Sequence, residues 1–282
     1  MKFLIFSKNP NEKSNLRIIR EAKKRGHQIT INTLPNLLVT SDFSGSFKVY
    51  EHYDLVHAFS GNKALVQIVN DIFLDFGLAV VNANSHKLGA YSKFSQMKLY
   101  SMHNILVPAT IYTVAPEWNY LTTMLGEPFV VKPINGSKGV GVQLINSPAE
   151  LNKIVKPSQS IFQTNINNDS DYRVHVFGGR ACCMFRRIRK SGFVNNVSCG
   201  ADTKSVQDMQ ERKILSVIAE CVARVGGFDY VGVDIVRSLD DGKYYVLETN
   251  SAPGVYDVEI DSGEDYALKI VDLYENMVLN KH

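Results

Sequence analysis

The sequence predicts an α/β protein that opens with a small α/β unit and continues into a larger β-rich region. Three observations predict it: a strand–helix–strand opening, a glycine-rich turn set between two strands, and a hairpin that carries opposed acids. The opening runs from a buried strand at Lys2–Ser7, through a helix at Ser14–Arg25 with Leu16, Ile18 and Ile19 on its apolar side, to a second strand at His27–Thr33. Gly26 is its helix stop. A strand at Leu55–Phe59, a helix over about Asn62–Phe76 and a strand at Leu78–Val81 extend the alternation, so residues 1–88 read as an N-terminal α/β domain. Gly-x-Gly-x-x-Gly does not follow the first strand, which argues against a dinucleotide site.

Ser85–His103 reads as a helix broken by Pro108, after which extended chain begins. Strand patterns follow at Phe129–Ile145 and Asp171–Asn196, the latter turning at Gly178-Gly179. Ser205–Val225 reads as an amphipathic helix stopped by Gly226-Gly227, and Asp265–Val278 as a last helix.

Composition narrows the class. A chain of 282 residues with 45% hydrophobic and 21% charged residues is an ordinary globular protein, which excludes disorder, collagen-like repeats and membrane insertion. The net charge of +3 is too weak to call for a nucleic-acid partner but suits small anions. Its dense basic run is Arg186, Arg187, Arg189 and Lys190, either a solvated face or an anion site. Cys182, Cys183, Cys199 and Cys221 lack metal-site spacing and fit a reducing compartment; the adjacent pair reads as packing residues. The N-terminal apolar run is too short for a signal peptide, so a cytoplasmic protein is expected.

The chemistry concentrates near the C-terminus. Tyr230–Leu239 and Lys243–Asn250 flank Asp240-Asp241-Gly242, and Gly242 stands where a three-residue hairpin loop needs a left-handed residue. Pairing Leu239 with Lys243 then places Asp234 opposite Glu248, with Asn250 two residues on along the same face. Opposed carboxylates among valines and tyrosines repel unless something positive lies between them, and a divalent cation answers that need. Three oxygen ligands suit Mg²⁺ or Mn²⁺ and imply a nucleotide nearby; the alternative is an edge hairpin with solvent-facing acids. Upstream, Phe129–Pro133 ends on Lys132, and Gly136-Ser137-Lys138-Gly139-Val140-Gly141 turns into a further strand. A P-loop leads into a helix, so this is the layout of a hairpin lid over phosphates. Lys132 on an apolar strand calls for an anionic partner.

In order, these features resemble the ATP-grasp superfamily: a helix-borne Lys93, Phe-Val-Val-Lys-Pro with a glycine lid, Asp171-x-Arg173, Val-Asp234-Ile, and Glu248-Thr249-Asn250 leading to Ser251-Ala252-Pro253-Gly254. The chain is most similar to the RimK-type ligases, which include enzymes adding glutamate to the C-terminus of a ribosomal protein. That resemblance implies a pre-ATP-grasp domain at 1–88 and two ATP-grasp lobes, 89–166 with the lid and 167–282 with the metal site. It further implies that Lys93, Lys132 and the turn of Gly136, Ser137, Lys138, Gly139 and Gly141 bind ATP phosphates. Gln163, Thr164, Asn165 and Ile166 would hold adenine, and Asp171 the ribose. Arg173, with Arg186 or Arg187 and Asn196, would face the reacting groups; Asp234, Glu248 and Asn250 would hold two Mg²⁺ ions. The departures are Ser92 where the family has Asp before its lysine, and Thr164-Asn165 where the hinge commonly reads Glu-aromatic.

The implied activity is ATP-dependent amide formation between a carboxylate and an amine through an acyl phosphate, with an amino acid as one substrate and a peptide or protein C-terminus among the acceptors. A small-molecule kinase and a non-catalytic nucleotide-binding protein are the competing readings. Homo-oligomers are common in such enzymes; neither nucleic acid nor membrane is implied.

Overall fold

The computed structural model describes residues 1–33, 43–60, 63–87, 92–136, 139–188, 202–253 and 263–281. Its first unit contains β1 (Lys2–Ser7), α1 (Lys13–Lys24), β2 (Gln28–Asn32), α2 (Phe43–Tyr50), β3 (Leu55–Phe59), α3 (Lys63–Asp75) and β4 (Ala79–Val80). The strands form a parallel sheet in the order β2-β1-β3-β4. Side chains alternate across a strand, and β1 is apolar on both faces for that reason. Leu4 and Phe6 pack with Val69 and Phe73, while Phe3 and Ile5 face a core shared with Phe177, Tyr230 and Ile270. The N-terminal unit thus has no separate core on that side.

The middle of the chain supplies α4 (Ala83–Lys87), α5 (Lys93–Met102), β5 (Thr110–Ile111), α6 (Trp118–Leu125), β6 (Phe129–Pro133), β7 (Gln143–Ile145), α7 (Pro148–Leu151) and β8 (Ser160–Thr164). Its antiparallel sheet runs β5-β8-β6-β7. One helix was expected over Ser85–His103. Two are present among the described residues, because Ser92 caps a new one: its Oγ accepts from the Ser95 amide at 3.1 Å. Serine therefore does at position 92 the capping that an aspartate can do. The helix it starts packs toward the last sheet, with the Tyr100 hydroxyl 2.9 Å from Thr249 Oγ1.

That sheet is antiparallel, in the order β11-β10-β9-β12-β13. Its strands are β9 (Ser170–Phe177), β10 (Arg180–Ile188), β11 (Asp202–Ser205), β12 (Tyr230–Arg237) and β13 (Tyr244–Asn250). Two helices, α8 (Met209–Gly226) and α9 (Tyr266–Leu279), cover it, and the face under α8 buries Val174, Val233, Ile235 and Val246 with Leu215 and Val222. The expected start of α8 at Ser205 is corrected to Met209: residues 202–205 pair as a strand, and Asp208 caps the helix by accepting from the Glu211 amide at 2.7 Å. No described helix is long and apolar enough to cross a membrane.

Asn82, with a left-handed φ of 62°, joins the first unit to β12. Its amide donates to Asp229 Oδ2 at 2.6 Å and its Nδ2 to the Tyr230 carbonyl at 2.8 Å. Its Oδ1 accepts from the Asp229 and Tyr230 amides at 2.8 and 2.9 Å. Arg25 and His27 reach α9 as well, on Asp272 and Glu275.

Candidate active site

The site lies in the cleft between the β6 sheet and the last sheet. On β6, Phe129 and Val131 enter the core under α6, so Val130 and Lys132, one residue out of phase, face the cleft. Burial lowers the Lys132 ammonium to about 8; Glu248 opposes the shift and Lys93 adds to it. Lys93, the first residue of α5, donates to the Gly136 carbonyl at 2.7 Å and lies 3.4 Å from Glu248 Oε2. Gly136 and Gly139 line the cleft. Gly141 has φ +76°, and a Cβ there would meet Pro133 Cγ at 2.8 Å, so this turn into β7 requires glycine. Ser137 and Lys138 lie outside the described residues, as does Asn196.

The hairpin brings Asp234 opposite Glu248, as expected, but by a different path. Leu239 does not pair with Lys243. Instead Ser238 donates to the Lys243 carbonyl at 2.9 Å and accepts from Gly242 at 3.0 Å, while the Leu239 amide turns away to the Asn167 carbonyl at 2.9 Å. The loop is therefore one residue longer than the three expected. A bulge restores the register: Val246 pairs with Ile235 and Glu248 with Asp234, leaving Leu247 as the extra residue. Val246 thus points into the core while Leu247 and Glu248 both line the cleft.

Asp234 is buried, and the conflict of charges is answered here by cations of the chain itself. Arg173 grips it through Nε and Nη2, each at 2.6 Å, and Arg187 Nη2 lies at 3.1 Å. Burial opposes ionisation of Asp234, and the two arginines overcome it, holding its carboxyl down at about 2. Arg187 also bonds both oxygens of Asp171, at 2.6 and 2.8 Å. Burial pushes the Asp171 carboxyl up against that grip. Asp171 thereby orients Arg187, in addition to lining the cleft.

The neighbouring arginines part company because strand neighbours face opposite ways. Arg187 is buried in the cleft, whereas Arg186 reaches Asp169 at 3.0 Å and Ser170 at 2.7 Å on the other face of β10. Thr164, Asn165 and Ile166 line the cleft after β8. Gln163 does not; its side chain is buried and donates to Thr110 Oγ1 at 2.8 Å. Asn250 stays next to Glu248, its Nδ2 donating to Oε1 at 3.4 Å. Sequence reasoning missed the apolar walls Pro108, Val130, Val142 and Leu247, and the polar Asn168. Val130 was within reach, since it stands two residues before Lys132 on one strand.

Asp234, Glu248 and Asn250 offer oxygen donors with neither thiol nor imidazole among them, a set that fits a hard cation such as Mg²⁺. Lys93, Lys132 and Arg187 add the positive charge that polyphosphate requires.

A family model described as a RimK-like ATP-grasp domain matches residues 90–274. A probable alpha-L-glutamate ligase of Aeromonas salmonicida (strain A449) is 30% identical across 98% of this chain and 96% of its own. One from Pseudomonas putida (strain KT2440) is 24% identical across 98% and 95%. Among solved structures, the D-alanine–D-alanine ligase of Bacillus anthracis superposes with a TM-score of 0.76 at 16% identity, covering 99% of this chain and 98% of that one. The ATP-grasp ligase PsnB with its minimal precursor gives 0.73 at 17% identity, covering 98% of each.

Proposed function

The chain belongs to the RimK-like ATP-grasp family of C–N bond-forming ligases, and from that premise we propose that it joins an amino acid to a carboxylate by way of an acyl phosphate. The observation that carries this reading is the cleft itself, where Lys93, Lys132 and Arg187 face Asp234 and Glu248 beneath a glycine turn. A carboxylate oxygen attacks the γ-phosphorus of ATP, the β–γ bridging bond breaks, and ADP departs. An amine then attacks the acyl carbon, phosphate leaves, and the amine proton passes to solvent or to phosphate.

In this reading Lys93 and Lys132 hold the phosphates, and Arg187, fixed by Asp171, offsets charge developing during transfer. Val130, Val142, Pro108, Leu247 and the chain at Thr164–Ile166 form the walls for a flat base. Asp234, Glu248 and Asn250 would hold magnesium, which would supply Lewis-acid neutralisation of the phosphate oxygens. Arg173 would then share Asp234 with the ion or release it. The glycine turn excludes water that would hydrolyse the acyl phosphate.

The glutamate ligases among its relatives make L-glutamate the first amino acid to supply, and PsnB, solved with a precursor peptide, makes a peptide carboxylate the first acceptor class. The test supplies Mg-ATP with a panel of amino acids and peptide carboxylates, reading nucleotide product and product mass together. ADP with an amide product supports the proposal. AMP points to adenylation, and a stable phosphorylated product with no need of an amine points to a kinase.

A further inference from the structure

Cys182 and Cys183 belong to no step of the ligase reading. Ala181 pairs with Val176 and Cys183 with His175, so Cys182 is an extra residue in β10. Neighbours in an unbroken strand point to opposite faces; the bulge instead brings the two sulfurs to 3.5 Å from each other. Cys183 is fully buried, and its sulfur lies 3.5 Å from Glu264 Oε2. One ligand atom from each of the three residues falls within 4.8 Å of the others. Cys182 and Glu264 open on a cavity of about 510 Å³, separate from the cleft and also lined by Arg25 and Arg212. Arg212 lies 3.9 Å from Glu264 Oε1.

We propose that Cys182, Cys183 and Glu264 form a site for a thiophilic divalent cation of the zinc class, with its fourth position open to the cavity. Geometry supports it: a tetrahedral ion with Zn–S bonds of about 2.3 Å sets two sulfurs roughly 3.8 Å apart, a few tenths beyond what is present. Glu264 immediately precedes the Asp265 cap of α9, so the ion clips β10 to the chain entering that helix.

The test titrates the reduced full-length chain, without nucleotide, with Cd²⁺ and reads the thiolate-to-metal ultraviolet band, which the oxygen donors of the cleft do not give. One ion per chain is expected, competed by Zn²⁺, with slower amide exchange at 263–268. Cys182→Ser at least halves the band and weakens uptake by about 100-fold or more; Glu264→Gln keeps the band and weakens uptake about 10-fold. Cys221→Ser and Cys199→Ser leave both unchanged. Absence of the band in the wild-type chain overturns the proposal, as does an undiminished band in Cys182→Ser or its loss in either control. Should Cys182→Ser not fold, unchanged affinity in Glu264→Gln overturns the three-residue site.

Discussion

Two strands of one sheet, β10 and β13, each carry one residue more than the partner they pair with, and each extra residue shares a face with the residue after it. In β13 this sets Leu247 beside Glu248 in the cleft; in β10 it sets Cys182 beside Cys183. What differs is how each handles the charge it gathers. Around Asp234 and Glu248 the chain supplies Arg173, Arg187 and Lys93, so Asp234 is held ionised by two arginines and Glu248 lies beside a lysine. Around the sulfurs no described arginine or lysine is paired with a thiol of the two; Arg212 lies 3.9 Å from Glu264 instead, and the adjoining thiol and burial push the Cys183 thiol up. A bulge is thus a means of pairing like groups, and the neighbours decide whether the pair is ready for chemistry or waits for an ion.

Removing a compensating cation is the severest way to break the first half of this contrast. Arg187→Gln leaves Asp171 and Asp234 buried and under-compensated, and should cost about 3–5 kcal/mol in urea unfolding. Arg186→Gln, one residue away on a partly exposed pair, should cost under about 1 kcal/mol. Equal losses would erase the distinction between the two faces of β10.

Glu248→Gln removes the opposed charge and keeps the shape. ADP release with substrates present should fall by about 100-fold, with melting temperature little changed. An unaltered rate would deny the carboxylate any part in holding the metal.

Deleting the extra residue sharpens the comparison. Without Leu247, Val246 and Glu248 become neighbours on opposite faces, the faces they already occupy, so Asp234 still meets Glu248. The fold should persist while nucleotide affinity, measured calorimetrically, drops about 10-fold through loss of an apolar wall. A collapse of the fold would show that the bulge is needed for pairing and not only for lining the cleft.

The smallest effect concerns pH. Lys132 is protonated below about 8 and loses its charge above it, the reverse of what phosphate binding wants. ATP affinity in the free protein should weaken several-fold between about pH 7 and 9 by that titration, and Lys132→Met should remove the dependence.

Local signals made much of this legible. Gly26 ended α1, Gly178-Gly179 turned β9 into β10, and Gly242 marked the hairpin, because each position takes a left-handed φ that glycine adopts without strain. The opposition of Asp234 and Glu248 was reached through two one-residue misreadings that cancel, a longer loop at Leu239 and a bulge at Leu247, neither of which leaves a mark in composition. Strand periodicity separates Arg186 from Arg187 but does not say which faces inward; that depends on Asp171 and Asp234, distant in sequence. The core shared by Phe3, Ile5, Tyr230 and Ile270 was equally hidden, since such contacts join residues that no local pattern links.

Asn82 bears on inheritance and on engineering. Its four hydrogen bonds fasten the chain leaving the first unit to the residues that begin β12, four positions ahead of Asp234. A chimaera that takes residues 1–88 from a relative and the remainder from this chain has to reproduce that clasp, including the left-handed backbone at its centre. Crossovers placed at the apparent domain boundary will therefore disturb the strand that carries Asp234 unless both sides of the clasp come from the same parent.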